Sequence, residues 1–300
     1  MTPPAIRLSS LTKSYGKARG IVDLDLEVKT GEVFGYLGPN GSGKTTTIRT
    51  LLDLIRPTSG TATVLGLDSK KGSLEIRRRV GYLPGDLSLY EALTVRESLE
   101  YLCALRGGAG NGRLEPLAEQ FELDLTRKVS DLSSGNKQKV GIVQAFAHDP
   151  ELLVLDEPTA GLDPLMQQKV YQLIDDARDE GRTVFLSSHV LPEVERIAER
   201  VGIIRRGRLI EVATVEELKD RAVRVVEVRF GDEPPTESEL MKIDNVVSVT
   251  PRRTTTQIRI EGSMDALIKA LAAHEVVALR SEEADLEEVF LDLYREAEDE

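Results

Sequence analysis

Apolar and polar positions alternate in short runs across residues 5 to 35, as Ile6-Arg-Leu8, Val22-Asp-Leu-Asp-Leu-Glu-Val28 and Val33-Phe34. A period of two predicts half-buried strands, antiparallel at the entrance to a domain. Glu32-Val-Phe-Gly-Tyr-Leu37 reads as a buried strand, and Thr46-Thr-Ile-Arg-Thr-Leu-Leu52 as a helix. Thr61-Ala-Thr-Val-Leu65 is a further strand after the Pro57-Thr-Ser-Gly60 turn. From about Leu74 to Arg106 the pattern is helical, with Leu99, Leu102 and Cys103 on one face; Gly107-Gly-Ala-Gly-Asn-Gly112 reads as a flexible surface loop without a function. Leu152-Leu-Val-Leu155 and Thr183-Val-Phe-Leu-Ser187 are continuous apolar runs, expected of strands buried on both faces. Helical spacing separates them (Leu173, Ile174, Ala177) and returns in Leu191-Pro-Glu-Val-Glu-Arg-Ile197. Strands alternating with helices imply a mostly parallel sheet with covered faces, an α/β fold. Residues 203–210 read as a hairpin turning near Gly207, and Thr214-Val-Glu-Glu217 as a capping box.

Near residue 222 the character changes. Val226, Val228 and Phe230 share one side of a strand, as do Ile258 and Ile260. Met264, Leu267, Ile268 and Leu271 form a helical stripe, Val276-Val-Ala-Leu279 is a short strand, and Leu286, Val289, Phe290 and Leu293 repeat the stripe before an acidic end at 296–300. The expected organisation is a large domain over 1–221 and a small α+β domain over 222–300.

Composition narrows the classes. The chain of 300 residues is 40% hydrophobic and 30% charged, enough for a proper core. No run approaches the ~18 consecutive apolar residues of a membrane span, and Met1-Thr-Pro-Pro-Ala-Ile-Arg-Leu8 lacks the apolar core of a signal peptide. The single cysteine, Cys103, excludes an internal disulfide, fits a reducing compartment and reads as a buried helical residue. A net charge of −12 argues against a nucleic-acid surface, which needs clustered cations. Arg77-Arg78-Arg79 reads as a solvated helix face and Arg205-Arg206 as part of a hairpin turn. The absence of Trp leaves little for base stacking.

The chemistry is concentrated in Gly38-Pro-Asn-Gly-Ser-Gly-Lys-Thr45, which fits G-x-x-x-x-G-K-[ST] between a strand and a helix. Glycines let successive N–H groups turn inward beside a helix N-terminus, which makes a cradle for phosphate. Gly38, Asn40, Gly41, Ser42, Gly43, Lys44, Thr45 and Thr46 are the candidate nucleotide-binding residues. Lys44 is placed to reach the β- and γ-phosphates, and the Thr45 hydroxyl to bind Mg²⁺. Asp156 and Glu157 end the buried run that begins at Leu152, at the strand edge where open parallel sheets bind ligands. Asp156 is suited to orient Mg²⁺, and Glu157 to polarise an attacking water. Leu132-Ser-Ser-Gly-Asn-Lys-Gln138 reads as a Ser–Gly turn opening a helix, a second anion site or simply a cap. His189, after the next buried strand, can donate to a γ-phosphate. Asp163 in Ala160-Gly-Leu-Asp-Pro164 is a ligand-facing residue or a turn former.

Together these motifs resemble the ATP-binding cassette (ABC) ATPases over roughly residues 5–220. The resemblance implies a P-loop cassette with a mostly parallel core, an antiparallel β subdomain and a helical subdomain. It makes 38–45 the Walker A loop, 132–136 the signature, 152–157 Walker B, 160–163 the D-loop and His189 the switch histidine. It places Ser133 and Gly135 on the phosphate of a second subunit, Asp163 among the nucleotide-binding residues, and Tyr15 against adenine. Glu157, His189 and Lys44 become the catalytic set, Thr45 and Asp156 the Mg²⁺ ligands. The implied function is an ATP-hydrolysing subunit that dimerises head to tail around two ATP molecules, with an identical or homologous second subunit, and drives a separate transmembrane permease from the cytoplasmic face of the membrane. The ending 285–293 is similar to that of bacterial ABC-2-type exporters, which include drug and antibiotic efflux systems. Partner coupling helices dock in relatives near Leu87-Ser-Leu-Tyr-Glu-Ala-Leu-Thr-Val95.

Two positions depart from the pattern. Gly85-Asp86 stands where the family's Q-loop glutamine is expected, and the signature is Leu-Ser-Ser-Gly-Asn instead of Leu-Ser-Gly-Gly-Gln. A soluble ABC ATPase acting on nucleic acid or ribosomes is the alternative. The acidic balance, a single cassette and the lack of heptads or a cysteine cluster between Lys44 and Ser133 count against it. A non-hydrolysing regulatory module conflicts with the presence of Lys44, Asp156, Glu157 and His189.

Overall fold

The structure is a computed structural model that describes residues 3–16, 18–231, 233–281, and Leu286, Val289, Phe290, Leu293 and Tyr294. Its described elements in chain order begin with β1 (Ile6–Tyr15), β2 (Ala18–Val28), β3 (Val33–Leu37), α1 (Lys44–Leu51), β4 (Ser59–Val64), β5 (Leu67–Asp68), α2 (Ser73–Arg79) and β6 (Val80–Leu83). They continue with α3 (Val95–Leu105), α4 (Asn111–Gln120), α5 (Ser134–Phe146), β7 (Leu152–Asp156), α6 (Pro164–Asp179), β8 (Thr183–Ser188), α7 (Leu191–Ile197), β9 (Arg200–Arg205) and β10 (Arg208–Thr214). The remainder are α8 (Val215–Arg221), β11 (Val223–Phe230), α9 (Glu237–Leu240), β12 (Val246–Pro251), β13 (Thr256–Glu261), α10 (Asp265–Leu271) and β14 (Val276–Ser281). Contacts divide the chain into two compact units, Met1–Val212 and Ala213–Glu300. The capped helix α8, grouped by sequence with the large domain, therefore falls in the second unit.

In the first unit, a six-stranded sheet runs β10-β9-β3-β8-β7-β6, and a four-stranded antiparallel sheet runs β2-β1-β4-β5. The pairs β9–β3, β3–β8, β8–β7 and β7–β6 are parallel, so β3, β6, β7 and β8 all end at one edge. Every residue of β3, β7 and β8 is buried, which explains their unbroken apolar runs. Phe185 stacks on Phe34 with ring centroids 5.9 Å apart and meets Tyr36 at 5.4 Å. Burial pushes the Tyr36 phenol far above its usual range, against a lesser lowering by its hydrogen bond with Thr47.

Two expectations for this unit fail. The stretch 74–106 is not continuously helical: β6 interrupts it and forms the sheet edge beside β7. A Cβ at Gly81, in the middle of β6, would lie 2.1 Å from the Ala145 carbonyl oxygen, so only glycine lets α5 pack this closely on the strand. The glycine-rich loop at 107–112 is shorter than expected, because its last two residues open α4. That helix buries Leu114, Leu117 and Ala118. Cys103 is buried on α3 as expected, and the helix starts with a capping box between Thr94 and Glu97. Arg77 and Arg78 are solvated, whereas Arg79 makes a two-pronged ion pair with Glu151 at 2.6 Å for each bond.

The second unit is an antiparallel sheet, β12-β13-β11-β14, over a core of Val226, Val228, Ile258, Ile260, Leu267 and Leu271. On α10, Ile268 is 53% exposed, so the predicted stripe is narrower than its apolar letters suggest. The edge strand β14 is exposed along its whole length, including Val276, Val277 and Leu279. Leu286 and Phe290 are helical and buried. The other residues of the 285–293 ending, except Val289 and Leu293, and the acidic run 296–300 lie outside the described residues.

Candidate functional site

The four strand ends at one sheet edge deliver the loops of the site. After β3 the chain enters the phosphate loop, where Gly41 and Gly43 adopt φ of +77° and +115°, conformations that exclude most side chains. A Cβ at Gly43 would also stand 2.9 Å from Ile21. Helix α1 then begins at Lys44 with no side chain capping it, so its first N–H groups are left for a ligand. A cavity of about 470 Å³ opens there, lined by residues 39–46, Arg49, Gly85, Asp86, Asp156 and Glu157 among others. Ser42 Oγ is buried at its base without a hydrogen-bond partner.

Lys44 is only 6% exposed; its Nζ donates to the Gly38 carbonyl at 2.6 Å and lies 3.2 Å from Glu157 Oε1. The other oxygen of Glu157 is 2.8 Å from His189 Nδ1. Beside them Thr45 Oγ1 donates to Asp156 Oδ2 at 2.8 Å, while Ser187 Oγ donates to the second Asp156 oxygen. Asp156 is buried, whereas His189 is exposed. The hydroxyl of Thr45 and carboxylate of Asp156 are hard oxygen donors at the cavity wall, a donor set that suits Mg²⁺. Among the described residues no group of three or more His, Cys, Asp and Glu forms a closed cage. Such a sparse site is what Mg²⁺ uses when phosphates and water fill its other positions.

Glu157 has φ of +52°, the left-handed region that costs a non-glycine residue ~1–2 kcal/mol. The surroundings hold it there. Its N–H donates to the Ser187 carbonyl at 3.1 Å, and its own carbonyl accepts from Ala160 N at 3.2 Å and from Gln138 Nε2 at 3.0 Å.

Other predicted residues sit away from this cavity. Tyr15, at the end of β1, is 47% exposed, and the Lys13 ammonium lies over its ring, 5.1 Å from the centre. Ser133 caps α5, accepting from Asn136 N at 3.3 Å. Gly135 approaches the 160–163 turn so closely that a Cβ would lie 2.7 Å from the Gly161 carbonyl oxygen. Asp163 caps α6, accepting from the N–H groups of Leu165 and Met166 at 3.0 Å each. The structure adds residues that sequence reasoning passed over. Gly20 and Arg49 line the cavity, Ser187 secures Asp156, and Gln138 reaches the Glu157 loop. Ser187 carried a signal, because it lies near the end of the strand that precedes His189; the others depend on tertiary approach.

The ABC transporter family pattern matches residues 21–160. The bacitracin transport ATP-binding protein BcrA of Bacillus licheniformis is 40% identical over 231 residues, covering 76% of each chain. The chain belongs to the ABC transporter ATP-binding proteins. The linearmycin resistance ATP-binding protein LnrL of Bacillus subtilis is 30% identical over 96% of this chain and 97% of its own length. A dimeric structure of the bacterial ABC transporter cassette MJ0796 superposes with a TM-score of 0.64 at 27% identity, over 70% of this chain and 98% of that one. A dimeric post-hydrolysis state of that cassette, with ADP and Pi, gives 0.63 at 25% identity over 70% of this chain and 98% of its own. This ABC protein binds and hydrolyses ATP as the dimerising, ATP-binding subunit of a transporter, and such subunits partner with transmembrane permeases. The nucleic-acid alternative is disfavoured. Among the described residues, no helix is long and apolar enough to cross a membrane.

Proposed function

We propose that this ABC ATPase powers export of antibiotics or similar hydrophobic compounds through an ABC-2-type permease, from the cytoplasmic face of the membrane. The observation that carries the catalytic reading is Glu157 held between Lys44 and His189 at the mouth of the phosphate cavity. In this reading the phosphate loop and Lys44 bind the triphosphate, and Tyr15 stacks on adenine. Thr45 and Asp156 would hold Mg²⁺, which would offset charge on the phosphates. Glu157 orients and polarises the attacking water, and His189 donates to the γ-phosphate while keeping Glu157 in place. Ser133, Gly135 and Asp163 face the nucleotide of the second subunit, so the triphosphate favours the closed pair and its hydrolysis releases it.

The export assignment is supported by the names of the bacitracin and linearmycin relatives. A permease surface is supported by a groove of about 280 Å³ whose lining includes the exposed Leu54, Leu74 and Leu105, and by the nearby exposed Tyr90, whose ring meets that of Tyr101 edge-on. An amphipathic cytoplasmic segment of the permease would cover this surface, whose groove is also lined by Arg77, Arg78 and Arg106, alongside residues 87–95. Purification from native membranes, with identification of the bound integral protein, tests the partner. Glu157→Gln tests the chemistry: it should keep ATP binding and lose ~10²-fold or more in turnover. Ordinary turnover in that variant removes Glu157 from its role.

A further inference from the structure

Gln138 is a buried polar side chain, 8% exposed, with a connection that the proposed mechanism does not use. It lies one turn into α5, the helix whose N-terminus Ser133 caps. Its amide Nε2 donates to two successive carbonyls, Glu157 at 3.0 Å and Pro158 at 3.1 Å. Those carbonyls belong to the turn that keeps Glu157 in the left-handed region. A second contact joins the same two segments, because the backbone at Gly135 rests against the Gly161 carbonyl with no room for a Cβ. The first turn of α5 and the 157–161 turn are thus fixed to each other at two points. One end of this joint is an amide with both N–H groups committed, which a side chain without those donors cannot reproduce.

We propose that Gln138 is a positioning residue that links the helix end at Ser133 to the backbone of Glu157. An anion engaged at Ser133 thereby sets the aim of Glu157 at the chain's other, Walker-loop site. The consequence is communication between the two ATP sites of the dimer: nucleotide bound by one subunit reports through α5 to the water-orienting carboxylate of its neighbour's site. Loss of the link leaves Glu157 in a conformation its backbone disfavours, with fewer restraints. The inference rests on the assignment of Glu157 to the attacking water, and on Ser133 facing the second subunit's nucleotide.

The test uses the full chain with Gln138→Met, which keeps length and removes the donors, and Gln138→Glu, which keeps shape and reverses the polarity toward the carbonyls. Gln138→Asn serves as the conservative variant. Steady-state ATPase, ATP affinity by fluorescent-nucleotide titration and circular dichroism are measured for each variant, and again with Ser133→Ala added. The expected result is kcat lower by about tenfold or more for Met and Glu, since small errors in aim are costly in rate. ATP affinity should stay within about threefold and Asn should recover part of the rate. In the double variant, Ser133→Ala should cost less kcat in the Met background than in the parent, the non-additivity of a shared path. Folded Met and Glu variants with parental kcat, a parallel loss of ATP affinity, or additive effects would each overturn the proposal. Failure of Glu157→Gln to slow turnover would instead refute the underlying assignment, so the two failures are distinguishable.

Discussion

Gly85 offers a measurement of how tightly Asp156, the proposed Mg²⁺ carboxylate, is held. A Cβ at this position would lie 3.2 Å from both Cγ and Oδ2 of Asp156, inside the 3.4 Å where ordinary contact begins. Asp156 cannot easily withdraw, since it is 1% exposed and its two oxygens are committed to Thr45 and Ser187. Crowding of this kind costs ~1–3 kcal/mol, and the small overlap places Gly85→Ala near ~1–2. Gly85 is not in the left-handed region, so alanine also restricts the unfolded chain and returns ~0.5 kcal/mol. The net of ~1 kcal/mol appears in one of two places. If Asp156 stays, the melting temperature falls by ~2–4 °C for a unit of this size. If Asp156 is displaced, Mg²⁺-dependent ATP affinity weakens by about fivefold, the equivalent of ~1 kcal/mol. Thermal unfolding and isothermal titration, each with ATP in the presence and absence of Mg²⁺, separate the outcomes. Gly85→Gln adds the amide missing here and should show at least the alanine effect. An alanine variant with parental melting and parental affinity would refute the reasoning.

Lys44→Ala should weaken ATP binding by about tenfold to a hundredfold, the worth of a hydrogen bond to a charged group; fluorescent-nucleotide titration checks it, and unchanged affinity contradicts the phosphate role. His148, whose Nε2 lies 3.3 Å from the Val80 carbonyl, is held down to about pH 4 mainly by burial and then by Arg106, against a raising contribution from the Val80 bond. Between the ordinary histidine value near 6.5 and about 4, the unfolded chain therefore binds the extra proton, and stability falls as pH falls through that window. Because His148 is only partly buried, the effect is discounted to ~1–2 kcal/mol. Denaturant titrations at pH 7 and 5 should show less of this loss in His148→Gln, and an identical pH slope would exclude His148 as its source.

The strands of the site were legible because burial on both faces leaves an unmistakable run of apolar letters, as in Leu152-Leu-Val-Leu155. The phosphate loop was legible because its backbone demands glycines at set places. β6 was hidden for the opposite reason: it is four residues long, follows a basic helix without a break and contains Gly81, whose purpose is contact with α5. α4 was masked by its glycine-rich start and by Pro116, although Leu114, Leu117 and Ala118 supply its buried face. The left-handed backbone of Glu157 and the reach of Gln138 leave no local mark at all, because each exists only once distant segments have met.

The bare outer strand of the second unit has a practical consequence for anyone handling this protein. Among the described residues β14 is an outer strand of its sheet and presents Val276, Val277 and Leu279 to solvent, a template onto which another extended chain can be added. Preparations of the 213–300 fragment by itself are therefore expected to stick together as they are concentrated. A lysine in place of Val277 should keep them dispersed.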